Sequence, residues 1–280
     1  MSRDNVDWQK NLSSGTNPTT AYIMMPVYVA SSAASDSTRK HCVAAPASGN
    51  TGTPSAPYST IAAAISEAAS SGADIVVDGK VTGAQAITSP GGNLNIRGFI
   101  DSDNGATESL ASLDGNNTTG VRPLTISAIG KTITITSLKI TGGRASGSGD
   151  AANGGGVLLS AGTLRLGDGA KIAGNTASNG YGGGLYVNFG ANLFMYGKSL
   201  IGDLGEATAT SATLTESGST GCANTAKTGG GIYNYGGSVY IGYSSTTQKS
   251  DMDAGYGVCR CFKFSARIFL AIGEAITPLP

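Results

Sequence analysis

The sequence predicts an all-β fold, a solenoid of stacked coils opened by one short capping helix. Three observations carry this. A glycine phrase recurs: Asn153-Gly154-Gly155-Gly156-Val157-Leu158-Leu159, then Tyr181-Gly182-Gly183-Gly184-Leu185-Tyr186-Val187, then Gly229-Gly230-Gly231-Ile232-Tyr233-Asn234. A phrase repeated within one chain marks units that bury their apolar faces against one another. Second, Ile133 and Ile135 share one parity, while Leu138 and Ile140 share the other. Strict alternation places every second residue on one face, so the switch at Thr136–Ser137 implies a corner that keeps both halves apolar inward. Third, no helical pattern separates the short strands of the later chain, which argues against a doubly wound α/β sheet.

Composition agrees. Of 280 residues 43 are glycine, and 13% are charged. That is roughly twice the usual glycine and about half the usual charge. Disorder is the competing reading for such a chain, and the short alternating apolar runs argue against it. Formal net charge is +0 with scattered Lys and Arg, so no nucleic-acid partner and no anionic membrane contact is expected. Cys42, Cys222, Cys259 and Cys261 match no zinc spacing, and His41 is the sole histidine. No apolar run approaches the ~20 residues of a membrane helix, so no transmembrane segment is expected. Tyr22 to Ala34 is apolar and ends in small residues, as a secretory signal does. Its long preceding segment is not net positive, and a first strand is the preferred reading.

In order, residues 1–57 read as an irregular N-terminal arm with a short strand near 27–30. A capping helix follows near 60–70, with Ser59 or Thr60 as cap, Ile61 and Ile65 on one face, and Gly72 as its end. Asp74 to Gly79 reads as a strand. Further short strands are expected at Ala86–Thr88, Leu94–Ile96, Leu124–Ile126, Thr132–Thr136 and Ser137–Thr141. The interval Gly154 to Gly182 fits one coil. The longer interval Gly182 to Gly229 fits two coils, or one with residues 205–221 inserted. The coil region spans 58–257, and residues 258–280 form an atypical tail. That tail is either a terminal cap or the product of a truncated or shifted reading frame.

Two groups of residues carry a resemblance. Val27-Tyr28-Val29-Ala30, a polar loop, Pro57-Tyr58-Ser59-Thr60-Ile61 and a strand ending Asp78-Gly79 resemble the opening of right-handed parallel β-helix proteins. The Gly-Gly-Gly-aliphatic phrases resemble half of the repeat of polymorphic outer-membrane proteins. The other half is Phe-x-x-Asn, which Ile172-Ala173-Gly174-Asn175 follows with Ile for Phe, and Leu200-Ile201-Gly202-Asp203 follows more weakly. The texture is also similar to spirochaete surface repeat proteins. The resemblance covers roughly residues 55–257. It implies a right-handed parallel β-helix at the cell surface, in the outer membrane, or secreted. Nothing after Gly257 reads as the ~10-residue alternating strands of a membrane barrel. The resemblance therefore implies a fragment of a larger surface protein or a secreted passenger.

No catalytic constellation stands out. A glycosidase needs two carboxylates facing across a bond. The acids here are mostly single and beside glycine, as in Asp78-Gly79, Asp114-Gly115 and Asp168-Gly169, which are turn dipeptides. Asp101 and Asp103 form the closest pair, but the calcium-loop pattern fails at Ser112. The glycine phrases lack the Lys and spacing of a phosphate loop. No catalytic residue, metal or cofactor is expected. Asn153, Asn175, Asn179, Asn188, Asn224 and Asn234 read as stacked turn residues. Tyr181, Tyr186, Tyr233, Tyr235, Tyr240 and Tyr243 cluster in the later units and are the candidate binding surface. The leading expectation is a non-enzymatic surface or secreted scaffold, an adhesin or passenger binding a host protein or glycan. The alternatives are a carbohydrate-active enzyme on the same fold and the remnant of a truncated gene.

Overall fold

The computed structural model describes residues 26–33, 35–43, 45–47, 49–66, 72–202 and 224–241. The chain opens with β1 (Val27–Ala30), a helix α1 (Ile61–Ser66), β2 (Ala73–Asp78) and β3 (Lys80–Thr82). It continues through β4 (Gln85–Thr88), β5 (Leu94–Gly98), β6 (Ser112–Asp114), β7 (Leu124–Thr136), β8 (Lys139–Thr141) and β9 (Arg144–Ala145). Then come β10 (Val157–Leu166), β11 (Lys171–Ile172), β12 (Thr176–Tyr181), β13 (Leu185–Val187), β14 (Asn192–Met195) and β15 (Leu200–Ile201). The last are β16 (Thr225–Thr228), β17 (Ile232–Asn234) and β18 (Ser238–Ile241).

The described residues are mostly strand, and every pairing between these strands is parallel. They form a ten-stranded, a five-stranded and a three-stranded sheet. The five-stranded sheet runs β3-β6-β8-β11-β15 and the three-stranded one β9-β12-β16, both in chain order. The ten-stranded sheet joins two strips, because β7 and β10 each serve both. Their first halves pair with β4 and β13, and their second halves with β5 and β14. The expected separate strands at Leu124–Ile126 and Thr132–Thr136 are thus one 13-residue strand. It bends at Gly130, whose φ is +67°. The parity switch after it falls where expected, at Ser137, a non-glycine residue with φ +49°. Ile133, Ile135, Leu138 and Ile140 are all buried.

Register builds the core as lines of like side chains. Val27, Ile75, Ile96, Ile135, Leu166, Met195 and Ile241 pair in succession. Val81, Leu113, Ile140, Ile172 and Ile201 form a second line. Each fully buried aliphatic in such a line contributes about 1.5–3 kcal/mol of transfer free energy.

The same register resolves the long interval. Leu185 pairs directly with Ile232 and Ile172 with Ile201. The 47 positions therefore make one circuit with added residues between Gly202 and Asn224. The residue level with Asn175 is Asn224, since Thr176 pairs with Thr225. The weaker motif match at Asp203 lies outside the described residues.

The three glycines of the first two phrases have three separate causes, and the first cause recurs in the third phrase. The first, Gly154, Gly182 or Gly229, holds φ of +61°, +68° or +67°, a region costly for residues with a Cβ. The second is pressed by backbone: a Cβ on Gly155 would lie 2.6 Å from the Thr176 carbonyl oxygen. The third faces an asparagine: a Cβ on Gly156 or Gly184 would lie 2.7 Å from the Nδ2 of Asn175 or Asn224.

At the start of the chain Thr60 caps α1, its Oγ1 accepting from the Ala63 N–H at 3.1 Å. The buried Gln85 accepts the Ile61 N–H at 2.9 Å, which answers another bare donor of the helix end. Residues 67–71, where the helix was expected to continue, lie outside the described residues. The loop after β1 folds back along its free edge. The Tyr28 N–H donates to the Gly52 carbonyl at 2.8 Å, and the Tyr58 N–H to the Tyr28 carbonyl at 2.9 Å.

Two carboxylates fasten that loop reciprocally. Asp78, on the strand side, accepts the N–H groups of Lys40, His41 and Cys42 at 2.8, 2.7 and 2.5 Å. Asp36, on the loop side, accepts the Lys80 N–H at 2.8 Å. Asp78-Gly79 is a turn, as expected, with Gly79 at φ +84°. Its buried carboxylate is an anchor as well, which the dipeptide alone did not indicate.

Candidate functional site

Parallel register places side chains of neighbouring circuits in contact, so the outward positions of each strand also form lines. One line runs Ala86, Thr125, Leu158, Tyr186, Tyr233. Another runs Asn95, Thr134, Arg165, Phe194, Tyr240. Aromatic side chains occupy both lines only in the last two circuits described.

Four of the expected tyrosines come together. Tyr181 and Tyr233 stack at 4.6 Å between ring centroids, Tyr186 and Tyr233 at 5.5 Å, and Tyr186 and Tyr235 at 6.3 Å. Exposure divides them. Tyr186 is only 5% exposed, whereas Tyr181 is 37% and Tyr235 59% exposed. Burial, followed by the charge of Asp150, pushes the Tyr186 hydroxyl up to about 12. Tyr240 stands apart on the adjoining strip, stacked on Phe194 at 4.5 Å, with the Arg165 guanidinium 5.5 Å from the Phe194 ring centre. Tyr243 lies outside the described residues.

Sequence reasoning missed two phenylalanines. Phe194 extends the second aromatic line. Phe189, 78% exposed, occupies the turn between β13 and β14. Its neighbours Asn188 and Gly190 mark it as a turn residue, and an apolar ring at a turn tip was the available signal. Arg122 was also missed. Its guanidinium donates to the carbonyls of Ala151, Asn153 and Gly154 at 3.3, 2.6 and 2.8 Å, bracing the loop beneath the tyrosines.

The asparagines separate into two roles. Asn175 and Asn224 are buried and stacked. Asn153 accepts the Tyr181 N–H at 3.1 Å, while Asn188 and Asn234 brace their own turns. Asn179 is exposed.

Several of the described acids bond within the fold. Asp114 pairs with Lys80 at 2.8 Å, Asp74 with Arg97 at 3.3 Å, and Glu108 with Lys171 at 3.0 Å. Asp168 accepts the Lys198 N–H at 2.8 Å. Asp101 accepts from Asn104 at 2.7 Å across a 3-10 turn that also carries Asp103. Among the described residues no three of His, Cys, Asp and Glu gather as a metal ion requires. His41 lies between the rings of Tyr28 and Phe99, at 5.1 and 4.7 Å.

The first two glycine phrases offer no free cradle for a phosphate. The N–H groups of Gly154, Gly155 and Gly156 donate to the carbonyls of Tyr181, Gly182 and Gly183, and those of Gly182, Gly183 and Gly184 repeat this one circuit on. Among the described residues no helix is long and apolar enough to cross a membrane. Comparisons of the chain with known protein families, with curated proteins and with solved structures return no match.

Proposed function

We propose that the chain is a non-enzymatic binding scaffold, displayed at the cell surface or secreted, that winds as a right-handed parallel β-helix. On this reading it acts as an adhesin or passenger for a host protein or glycan, in the manner of the polymorphic outer-membrane and spirochaete surface proteins its repeats resemble. Three features support the winding: wholly parallel pairing, chain-ordered sheets, and lines of like side chains. Right-handed crossover is the rule for parallel strands.

The observation that carries the function is the aromatic band. Core packing does not require tyrosine or phenylalanine at outward positions. Yet Tyr181, Tyr186, Tyr233 and Tyr235 stack there across consecutive circuits, and Phe189 lies against Gly236 in the turn beside them. Exposed aromatic clusters on a rigid frame suit recognition, because the rings lose little conformational freedom on binding.

The test is immunogold labelling of intact source cells with antibody raised against the purified chain. Surface or extracellular label is expected. Label confined to the cytoplasm would sink the reading.

A further inference from the structure

The exposed part of the aromatic band is smaller and more specific than the band itself. Val187 pairs with Asn234, which brings the Asn188-Phe189-Gly190 turn alongside Tyr235-Gly236-Gly237. The Gly190 N–H donates to the Gly236 carbonyl at 3.4 Å. A Cβ on Gly236 would stand 2.9 Å from Phe189 Cδ2, so this glycine lies against the Phe189 ring and gives it no side-chain lid. Tyr235 rests one side on Tyr186, with 23° between the ring planes, and is otherwise largely bare. Both turns are braced by asparagine side chains. Asn188 Oδ1 accepts the Phe189 N–H at 2.9 Å, and Asn234 both accepts from and donates to Gly237, at 2.8 and 2.9 Å.

We infer that the corner where the adjoining turns of Phe189 and Tyr235 meet is a stacking site for a neutral sugar ring of a glycan chain. A pyranose offers an apolar face of C–H groups and a rim of hydroxyls. The corner offers aromatic surface, a tyrosine hydroxyl and no charge of its own, which matches both parts. Size decides between this partner and a protein. Taking about 200 Å² for each bare ring, Tyr181, Phe189 and Tyr235 expose about 350 Å² together. A stable protein interface takes about 800 Å² from each partner. Two or three rings fall well short of that and fit one or two sugars.

This site rests on the surface-scaffold reading, and the two fail separately. Surface label without sugar binding removes the glycan site alone. Cytoplasmic label removes the scaffold, whatever the chain binds in the tube.

The experiment is saturation-transfer NMR on the full chain. The probes are neutral cello-, chito-, manno- and galacto-oligosaccharides of four to six sugars, with oligogalacturonate as the charged comparison. At least one neutral probe should receive saturation. The double variant Phe189→Ala/Tyr235→Ala should weaken its binding at least tenfold with the melting temperature unchanged. Tyr235→Phe, which keeps the ring, should retain most of the binding. Absence of transfer to every neutral probe would overturn the site. So would transfer to the charged probe alone, or undiminished binding by the double variant.

Discussion

Asn175 and Asn224 stand one above the other in consecutive circuits, with Asn175 Nδ2 3.1 Å from Asn224 Oδ1. Both are buried, and each also bonds to backbone. Asn175 Nδ2 donates to the Ile140 carbonyl at 3.0 Å, and its Oδ1 accepts the Gly143 N–H at 2.9 Å. Asn224 Nδ2 donates to the Ile172 carbonyl at 2.7 Å. The pair satisfies corner groups that the parallel ladders leave over.

Replacing Asn175 by Ala should therefore destabilise the protein by about 3 kcal/mol, since it strands several buried groups at about 1–3 kcal/mol each. Asn175→Asp should cost more, because a buried carboxylate would face the Ile140 and Ala173 carbonyls. Urea unfolding of both variants checks the order.

Glycines of similar appearance should respond differently. Gly156→Ala places a methyl group against Asn175 Nδ2 and the Gly184 carbonyl, at 2.7 and 2.8 Å. Overpacking of this kind costs about 1–3 kcal/mol, and here it also disturbs the asparagine pair. Gly190 has open space around it and φ +75°. Gly190→Ala should cost only the left-handed backbone penalty, about 1–2 kcal/mol. Denaturation midpoints of the two variants give the comparison.

Removing residues 204–223 should leave the fold intact. The join would read Ile201-Gly202-Asp203-Asn224, the same spacing as Ile172-Ala173-Gly174-Asn175. The paired positions on either side, Ile201 and Thr225, already sit in register with Ile172 and Thr176. An unchanged circular-dichroism spectrum with a melting temperature at or near the parent's is the expected outcome.

Asp36 and Cys42 give opposite pH signatures. Burial raises the Asp36 value. Hydrogen bonds from the Thr38 hydroxyl, the Lys80 N–H, the Ser31 hydroxyl and the Thr38 N–H outweigh it, and hold the carboxyl well below the ordinary 3.8. A depressed acid contributes stability above its unfolded value and loses it as pH falls. Stability should therefore decline below about pH 4, and Asp36→Asn should flatten that slope. Urea titrations between pH 5 and pH 2.5 measure it.

Burial, and then the nearby Asp78 charge, push the Cys42 thiol from 9.0 up to about 12. Its contribution is present below pH 9.0 and is lost as pH rises toward about 12. Iodoacetamide should leave Cys42 unmodified in the folded protein and label it after unfolding, as peptide mass spectrometry would show.

Much of the strand pattern was legible in advance. The parity switch at Ser137, the cap at Thr60 and the strands around Ile75, Ile87 and Ile96 follow from alternation and capping chemistry, which act over a few residues. The merging of Leu124–Ile126 with Thr132–Thr136 was not legible. Gly130 reads as a break, and only pairing to both halves of β10 carries the strand through the bend. The candidate tyrosines were visible as a cluster. Their division into one buried ring, Tyr186, and two exposed ones was not, and Phe189 was overlooked.

The sequence by itself determined that the fold is β, that its apolar residues alternate inward, and that glycine phrases fall at corners. Periodicity of two and turn chemistry are local, so they survive in a string of letters. The tertiary structure alone decided which residues stand level with one another. Register placed Asn224 rather than Asp203 beside Asn175, Asp78 beneath the loop at 40–42, and Phe189 against Gly236. Those neighbours are between 36 and 49 positions apart, and only the pairing of whole strands brings them together.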